Sequence, residues 1–267
     1  MNSVQNFYDE NVQNEWERLE IRHRTEFAVT MRALKEFLPP APARVIDIGG
    51  GPGRYSLSLA EVGYGVTLVD LSEGNLAFAR EKARETGIRL EGVFQANALD
   101  LSAFPTASFE AALLMGPLYH LWHENERLQA LGEARRLLKP GGIIFASFIS
   151  RFAPFQDAAV KGLTWVLERP GYNEKLLATG LNVAEEDGFT DAYFAHPDEV
   201  IPLGEAAGFE TLLRLGCEGM VGGHETYVNS LQGKDFELWT DLNYRLGKDP
   251  TAIGASEHIL YIGRKKE

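Results

Sequence analysis

Apolar and polar positions fall into three successive rhythms along the chain. Through residues 11–38 the apolar side chains Trp16, Leu19, Phe27, Met31, Leu34 and Leu38 recur at spacings of three, four and their sums. That is the period of one helix face, and Pro39 and Pro40 end it. From Arg44 to about Ser150, short apolar runs alternate with longer amphipathic stretches: VIDI (45–48), VTLVD (66–70), LEGVFQA (90–96), EAALLM (110–115) and GIIFASF (142–148). Runs of this length bounded by Gly or Asp predict strands joined by crossover helices. Ser72 is placed to cap one helix and Gly87 to close it, and another, from about 124 to 138, ends at Lys139-Pro140-Gly141-Gly142.

The rhythm breaks over residues 151–195, where Phe152, Phe155, Trp165, Tyr172, Phe189, Tyr193 and Phe194 are scattered among Gly, Pro and acids. This predicts an inserted helical cap, with packing against the N-terminal arm or a dimer contact as the alternative use of so much apolar surface. Strand and helix signals resume with a helix over 197–207 and the run ETLLRLG (210–216). A helix with Phe236, Trp239, Leu242 and Leu246 on one face follows, then a last strand HILYIG (258–263). The expected architecture is α/β: a doubly wound, seven-stranded, mostly parallel sheet. Residues 1–40 form a helical arm, 41–150 the ligand-binding core, 151–195 the cap and 196–267 the C-terminal part of the core.

Composition narrows the functions open to this fold. A chain of 267 residues with 45% apolar and 24% charged residues suits one main core, and no uncharged run is long enough to span a bilayer. The net charge of −12 repels a phosphate backbone, so nucleic acid is not favoured as a partner. The lone Cys217 forms no internal disulfide, and the polar start MNSVQNFYDENVQNEWER lacks the layout of a secretion signal; a cytoplasmic location is expected. One cysteine and dispersed histidines give no zinc-ligand spacing, so no metal is expected.

The most informative segment is RVIDIGGGPGRYSLSLA (44–60), a strand that ends in an acid and runs through four glycines into a helix. Such a loop lets a ligand approach the backbone at the carboxyl end of a strand. The dinucleotide fingerprint Gly-x-Gly-x-x-Gly fails, because Arg54 or Ser56 occupies the place of the third glycine. Asp47 would also repel a pyrophosphate and attract a cationic ligand.

Here the chain resembles the class I S-adenosylmethionine-dependent methyltransferases, whose acid-x-Gly-x-Gly-x-Gly loop is matched by Asp47-Ile48-Gly49-Gly50-Gly51-Pro52-Gly53. The pairing of GGGPGRY with GPLYHL is similar to a bacterial small-molecule subgroup. The resemblance implies the Rossmann-like methyltransferase fold and S-adenosylmethionine as cofactor, leaving S-adenosylhomocysteine as product. It implies cofactor contacts at Asp47, Gly49, Gly51, Gly53, Asp70, Leu71, Asn97, Ala98 and Met115, with Tyr8 closing over from the arm. Asp70 matches the acid that accepts the ribose hydroxyls, and in the sequence it has no competing structural task. Asn97 matches the adenine-reading turn, although Asp is commoner there.

Tyr119 and His120, in LLMGPLYHL, are the candidates for the methyl-transfer site, His120 as a base. His123 belongs to a helix start and His196 to a loop before Pro197, while His224 is placed to reach the pocket from the excursion before the last strand. Neither the Pro-Cys nor the Asn-Pro-Pro-aromatic motif of base-methylating enzymes is present. The expected reaction is methyl transfer to O, N or S of a small, aromatic or amphipathic acceptor. Three alternatives remain: a tRNA or protein methyltransferase, an NAD(P)-dependent oxidoreductase, and a non-catalytic S-adenosylmethionine-binding protein.

Overall fold

A central strand buried on both faces needs apolar residues at nearly every position, and β1 (Arg44–Ile48) meets that demand with Val45, Ile46 and Ile48, all essentially inaccessible. It lies in the middle of a seven-stranded sheet. The computed structural model describes residues 2–183 and 190–267, and Phe189 of the expected cap lies outside them.

The strands are β1, β2 (Gly65–Asp70), β3 (Gly92–Gln95), β4 (Phe109–Leu114), β5 (Leu138–Ile149), β8 (Phe209–Gly216) and β9 (His258–Lys265), in the order β3-β2-β1-β4-β5-β9-β8. All run parallel except β9, which is antiparallel to both β5 and β8. The order therefore reverses between β1 and β4, where an open α/β sheet leaves a crevice at its carboxyl ends. The expected strands sit where the apolar runs put them. One boundary differs: the Lys139–Gly142 turn is absorbed into β5, and the register against β4 shifts between Phe109 and Ala111.

Helices cover both faces. On one side α3 (Arg24–Phe37), α4 (Arg54–Glu61) and a C-terminal helix, α12 (Gly233–Leu246), meet the sheet through Val29, Leu34, Leu59, Tyr244 and strand residues such as Val66, Phe145 and Ile262. On the other, α6 (Glu124–Leu137) and α10 (Pro197–Ala206) pack Leu131, Leu137 and Val200 against Ile46, Ile144 and Tyr261. Each fully buried Leu, Ile or Phe contributes about 1.5–3 kcal/mol to this sandwich. Between β2 and β3, α5 (Glu73–Thr86) begins at Ser72, whose Oγ accepts from Asn75 N–H, and stops at Gly87, left-handed at φ 70°.

The arm differs from the unbroken pattern of its apolar face. It consists of α1 (Asn2–Glu10), α2 (Val12–Glu17), a π-helical turn (Arg18–Arg22) and α3, with bends at Asn11 and His23. Tertiary contacts impose the breaks: Asp9 Oδ1 accepts from Ser72 Oγ at 2.5 Å and Gly74 N–H at 3.0 Å, which lays α1 across the start of α5.

After β5 come α7 (Ala153–Lys161), α8 (Trp165–Glu168), α9 (Pro170–Thr179) and a two-residue pairing of β6 (Leu181–Asn182) with β7 (Ala192–Tyr193). Phe155, Trp165, Tyr172 and Phe194 share one apolar cluster there. Buried Arg151 ties the segment down, donating to both carboxylate oxygens of Glu199 at 2.8 and 2.9 Å. The short α11 (Thr226–Ser230) precedes α12. Among the described residues, no helix is long and apolar enough to cross a membrane.

Candidate active site

The loop after β1 leaves the sheet at the point of order reversal, and its backbone is fixed by neighbours. Gly49 and Gly50 both donate to Val69 O, at 2.7 and 3.2 Å. Gly51 stands at φ 57°, a conformation that most side chains avoid. Its N–H donates to Asp70 Oδ2 at 2.7 Å, so the end of β2 holds the loop. Asp70 Oδ1 accepts from Ser72 N–H at 2.8 Å and from the Asn75 amide at 3.4 Å. Asp70 therefore has the structural task that its sequence position did not reveal.

A cavity of about 180 Å³ opens on this loop. Among its walls are Asp47, Gly49, Gly51, Asp70, Leu71, Asn97, Ala98, Met115, Tyr119, His120 and, from the arm, Tyr8. Residues from four strand ends and one distant helix thus meet at one place. Gly53 does not. It caps α4 at φ 84°, and a side chain there would press on Ala79 at 3.1 Å and Leu68 at 3.3 Å, so its smallness serves helix-on-sheet packing. Asn97 lines the cavity with its Oδ1 accepting Leu99 N–H at 3.0 Å, which closes a local turn.

Two carboxylates here face little water. Asp47 is 1% exposed, and burial pushes its carboxyl up to about 7 despite the hydrogen bond from Ser56 Oγ at 2.7 Å. Burial also raises Asp70, against the hydrogen bonds from Ser72, Gly51 and Asn75 that favour its charged form. Beside it, Asn75 Oδ1 is buried and has no hydrogen-bond partner.

The 3₁₀ turn Pro117–His120 after β4 delivers the methyl-transfer candidates. Tyr8 Oη lies 2.8 Å from His120 Nε2, Thr190 Oγ1 lies 3.0 Å from Nδ1, and the Asp191 backbone also hydrogen-bonds the ring. Burial drives the His120 imidazolium down to about 4, so the ring is neutral at pH 7. The Tyr8 and Tyr119 phenols are pushed up by the same burial and keep their protons.

A second cavity of about 330 Å³ shares Tyr8, Glu15, Arg18 and Tyr119 with the first. Ile149, Ala153, Leu163, Trp165 and Phe194 line one part of it, while Asp157, Lys161, His23, Glu257 and His258 line another. Arg18 stands between the cavities, bound to Glu26 at 2.7 Å and Glu15 at 3.4 Å. Burial opposes its charge, but those carboxylates outweigh it and hold the guanidinium firmly protonated. Despite burial, Glu26 and Glu218 hold the His258 imidazolium up to about 9, whereas burial and then Arg18 lower His23 to about 4.

Arg18, His23 and His258 carry no local motif. His258 is the first residue of an antiparallel strand paired at its start with Ile149 at the end of β5. A residue opening such a strand lies at the carboxyl-end face, a signal that the apolar run HILYIG hides. The other histidines fall elsewhere: His123 caps α6, His196 caps α10 with Nδ1 accepting Asp198 N–H at 3.2 Å, and His224 borders neither cavity. His224 is held in its own turn, its N–H donating to Val221 O at 2.7 Å.

A family model described as a methyltransferase domain matches residues 45–142. A ubiquinone biosynthesis O-methyltransferase of Thiobacillus denitrificans is 30% identical over 206 residues, covering 77% of this chain and 78% of that protein. Its namesake from Xanthomonas axonopodis pv. citri is 35% identical over 129 residues, 48% of this chain; the chain thus spans about half of that relative, 52%. The fold is similar to that of a 1,6-didemethyltoxoflavin-N1-methyltransferase of Burkholderia thailandensis, solved with its namesake compound and S-adenosylhomocysteine. That likeness has a TM-score of 0.61 at 17% identity and covers 100% of this chain and 88% of the other. Loop, strand order and relatives agree, and the chain belongs to the class I S-adenosylmethionine-dependent methyltransferases.

Proposed function

We propose that the protein transfers a methyl group from S-adenosylmethionine to an O, N or S atom of a small aromatic or amphipathic molecule held in the second cavity. The shared wall carries this reading: Tyr8, Glu15, Arg18 and Tyr119 border both cavities, so ligands in the two would meet there. A volume of about 330 Å³ suits a small molecule, and the mixed lining suits one with an apolar ring and a polar edge. In this reading the segment 151–195 is the cap of the acceptor chamber, not a dimer contact, and the reaction takes place in the cytoplasm.

The residues of the first cavity fit the cofactor. Asp70 Oδ2 keeps a lone pair after binding Gly51, and the orphan Asn75 Oδ1 lies beside it, which gives two acceptors for the two ribose hydroxyls. Asp47 would hold the cationic end, and Leu71, Asn97 and Ala98, which line the same cavity, would border the base. When bound, S-adenosylmethionine supplies a methyl group on a cationic sulfonium. The chain's own part is to align the acceptor, exclude water and take up a proton. The acceptor's proton passes to Tyr8 Oη while Tyr8 gives its own to His120 Nε2, 2.8 Å away. A neutral imidazole held down to about 4 is a weak base, so orientation, worth about 7–11 kcal/mol, outweighs base catalysis of about 10²- to 10⁴-fold.

Incubation with S-adenosylmethionine and a panel of small phenols, aromatic amines and thiols, read as S-adenosylhomocysteine by mass spectrometry, tests the proposal. Product with at least one acceptor class is expected. Binding without product for any acceptor favours a cofactor-binding protein, and stabilisation by NAD(P) in place of S-adenosylmethionine favours an oxidoreductase.

A further inference from the structure

Four side chains far apart in the chain converge behind the second cavity: His23 at the bend before α3, Glu218 just after β8, and Glu257 and His258 at the start of β9. One nitrogen or oxygen from each lies within 4.8 Å of all the others. His258 Nδ1 is 2.5 Å from Glu218 Oε1, and His23 Nδ1 is 3.9 Å from Glu257 Oε2. A fifth candidate, Glu225, is 6% exposed and places Oε1 3.8 Å from His23 Nδ1. Its Oε2 and the His23 Nδ1 are both buried without a hydrogen-bond partner.

Buried polar atoms are rarely left unpaired, and buried carboxylates need compensating charge. Glu26, Glu218, Glu225 and Glu257 crowd this region, while the cations around it include Arg18, bound to Glu15 and Glu26, Lys161, bound to Asp157, and His258. Mixed imidazole and carboxylate donors suit a first-row transition ion better than magnesium or calcium. The donor set also has outer support: Glu218 Oε2 accepts from Ser256 Oγ at 2.7 Å and from His258 N–H at 2.8 Å, which fixes its carboxylate.

We propose that His23, Glu218, Glu257 and His258, with Glu225 beside them, bind one divalent transition-metal ion in the wall of the second cavity. Metal–ligand bonds of about 2.0–2.2 Å place tetrahedral donors about 3.4 Å apart, so His23 and Glu257 must turn inward slightly, while His258 Nδ1 must release its proton to solvent and move apart from Glu218 Oε1. Expansion to five-coordination would admit water or an oxygen of the acceptor from the cavity side; that last role rests on the reading of this cavity as the acceptor chamber.

The full chain, purified without metal-affinity resin and stripped with EDTA, is titrated with Zn²⁺ against a chromophoric chelator. One equivalent bound with sub-micromolar affinity is expected, with little competition from Mg²⁺. Loss of an outer-shell partner typically weakens metal binding about 10- to 100-fold, so H23Q and E257Q, which remove ligands, should each weaken it at least about 100-fold. H224Q, outside the cluster, should change nothing. If the variants fold poorly, the Co²⁺-loaded wild type decides, because paramagnetically shifted imidazole signals count the histidine ligands and two are expected. No stoichiometric uptake, undiminished uptake by both variants, or fewer than two imidazole ligands would overturn the site. These readouts need neither cofactor nor acceptor, and S-adenosylhomocysteine binding to the stripped protein tests the methyltransferase reading separately.

Discussion

Asp70 holds the glycine loop and, in the proposed function, accepts the ribose, two tasks whose separation is measurable. Its Oδ2 fixes Gly51 and its Oδ1 fixes Ser72 N–H, both in short contacts, at 2.7 and 2.8 Å, and the residue is 8% exposed. Asp70→Ala leaves the buried Ser72 N–H and the half-buried Gly51 N–H without an acceptor. Charge-assisted bonds of about 1.5–3 kcal/mol each give a gross loss of about 3–6 kcal/mol. Relief of the desolvated carboxylate, seen in its raised pKa, returns part of this, leaving about 2–4 kcal/mol. At about 2–4 °C per kcal/mol, the melting temperature should fall by roughly 4–16 °C. Asp70→Asn keeps one acceptor oxygen and should lose about half as much. Affinity for S-adenosylhomocysteine should fall at least tenfold in both, because the ribose acceptor is lost and the glycine loop is freed. Urea denaturation and calorimetric titration of the same preparations separate the two effects. An Asp70→Asn protein with an unchanged urea midpoint and an affinity within twofold of wild type would refute both assignments.

Gly51→Val should abolish cofactor binding, since φ 57° disfavours a β-branched residue and the new side chain enters the loop beside Asn75; normal S-adenosylhomocysteine binding by the folded variant would contradict the loop's role. Tyr8→Phe should lower kcat about tenfold or more with little change in cofactor affinity, because it removes the hydroxyl 2.8 Å from His120 Nε2; an unchanged kcat would remove Tyr8 from the proton path. Asp47 binds its proton more tightly when folded, about 7 against an ordinary value near 4, so the folded state holds the extra proton within that window and stability falls as pH rises across it. The comparison with Asp47→Asn is therefore the informative one: the variant should show the shallower decline in urea midpoint from pH 4 to 7, and identical slopes would count against the burial argument. Replacing 152–193 by a short Gly/Ser linker should leave cofactor affinity within a few fold but abolish turnover or broaden acceptor choice; unaltered kinetics with a changed solution mass would make the segment an oligomerisation element.

The strands were legible because a sheet covered on both faces leaves a continuous apolar run, and β1, β2 and β4 are such runs ended by Asp, Gly or Met. The lining of the first cavity was largely legible for a related reason: the order reversal brings the carboxyl ends of β1, β2, β3 and β4 to one edge, so strand order alone groups Gly51, Asp70, Asn97 and Met115. Gly53 was not separable in the sequence, since a loop glycine can serve a ligand or a helix contact, and its packing against Ala79 and Leu68 is visible only in the fold. The polar wall of the second cavity left no trace at all. It joins His23 to His258 across 235 positions through the antiparallel turn-back of β9, and no local spacing encodes a contact made by topology.

The arm links the two cavities mechanically. Asp9 pins α1 to the start of α5, whose cap Ser72 also donates to Asp70, so the arm rests on the same backbone turn that holds the glycine loop. From that anchor, Tyr8 reaches into both cavities and Arg18 stands between them. Displacing the arm would open the first cavity and, in the same movement, remove Tyr8, Glu15 and Arg18 from the second. If Asp70 and Asn75 accept the ribose as proposed, a ligand that tightens the turn from Asp70 to Asn75 would also tighten the support of α1. In the proposed reading, the arm's seat on the Asp70 to Asn75 turn would therefore couple cofactor binding to the wall of the acceptor chamber.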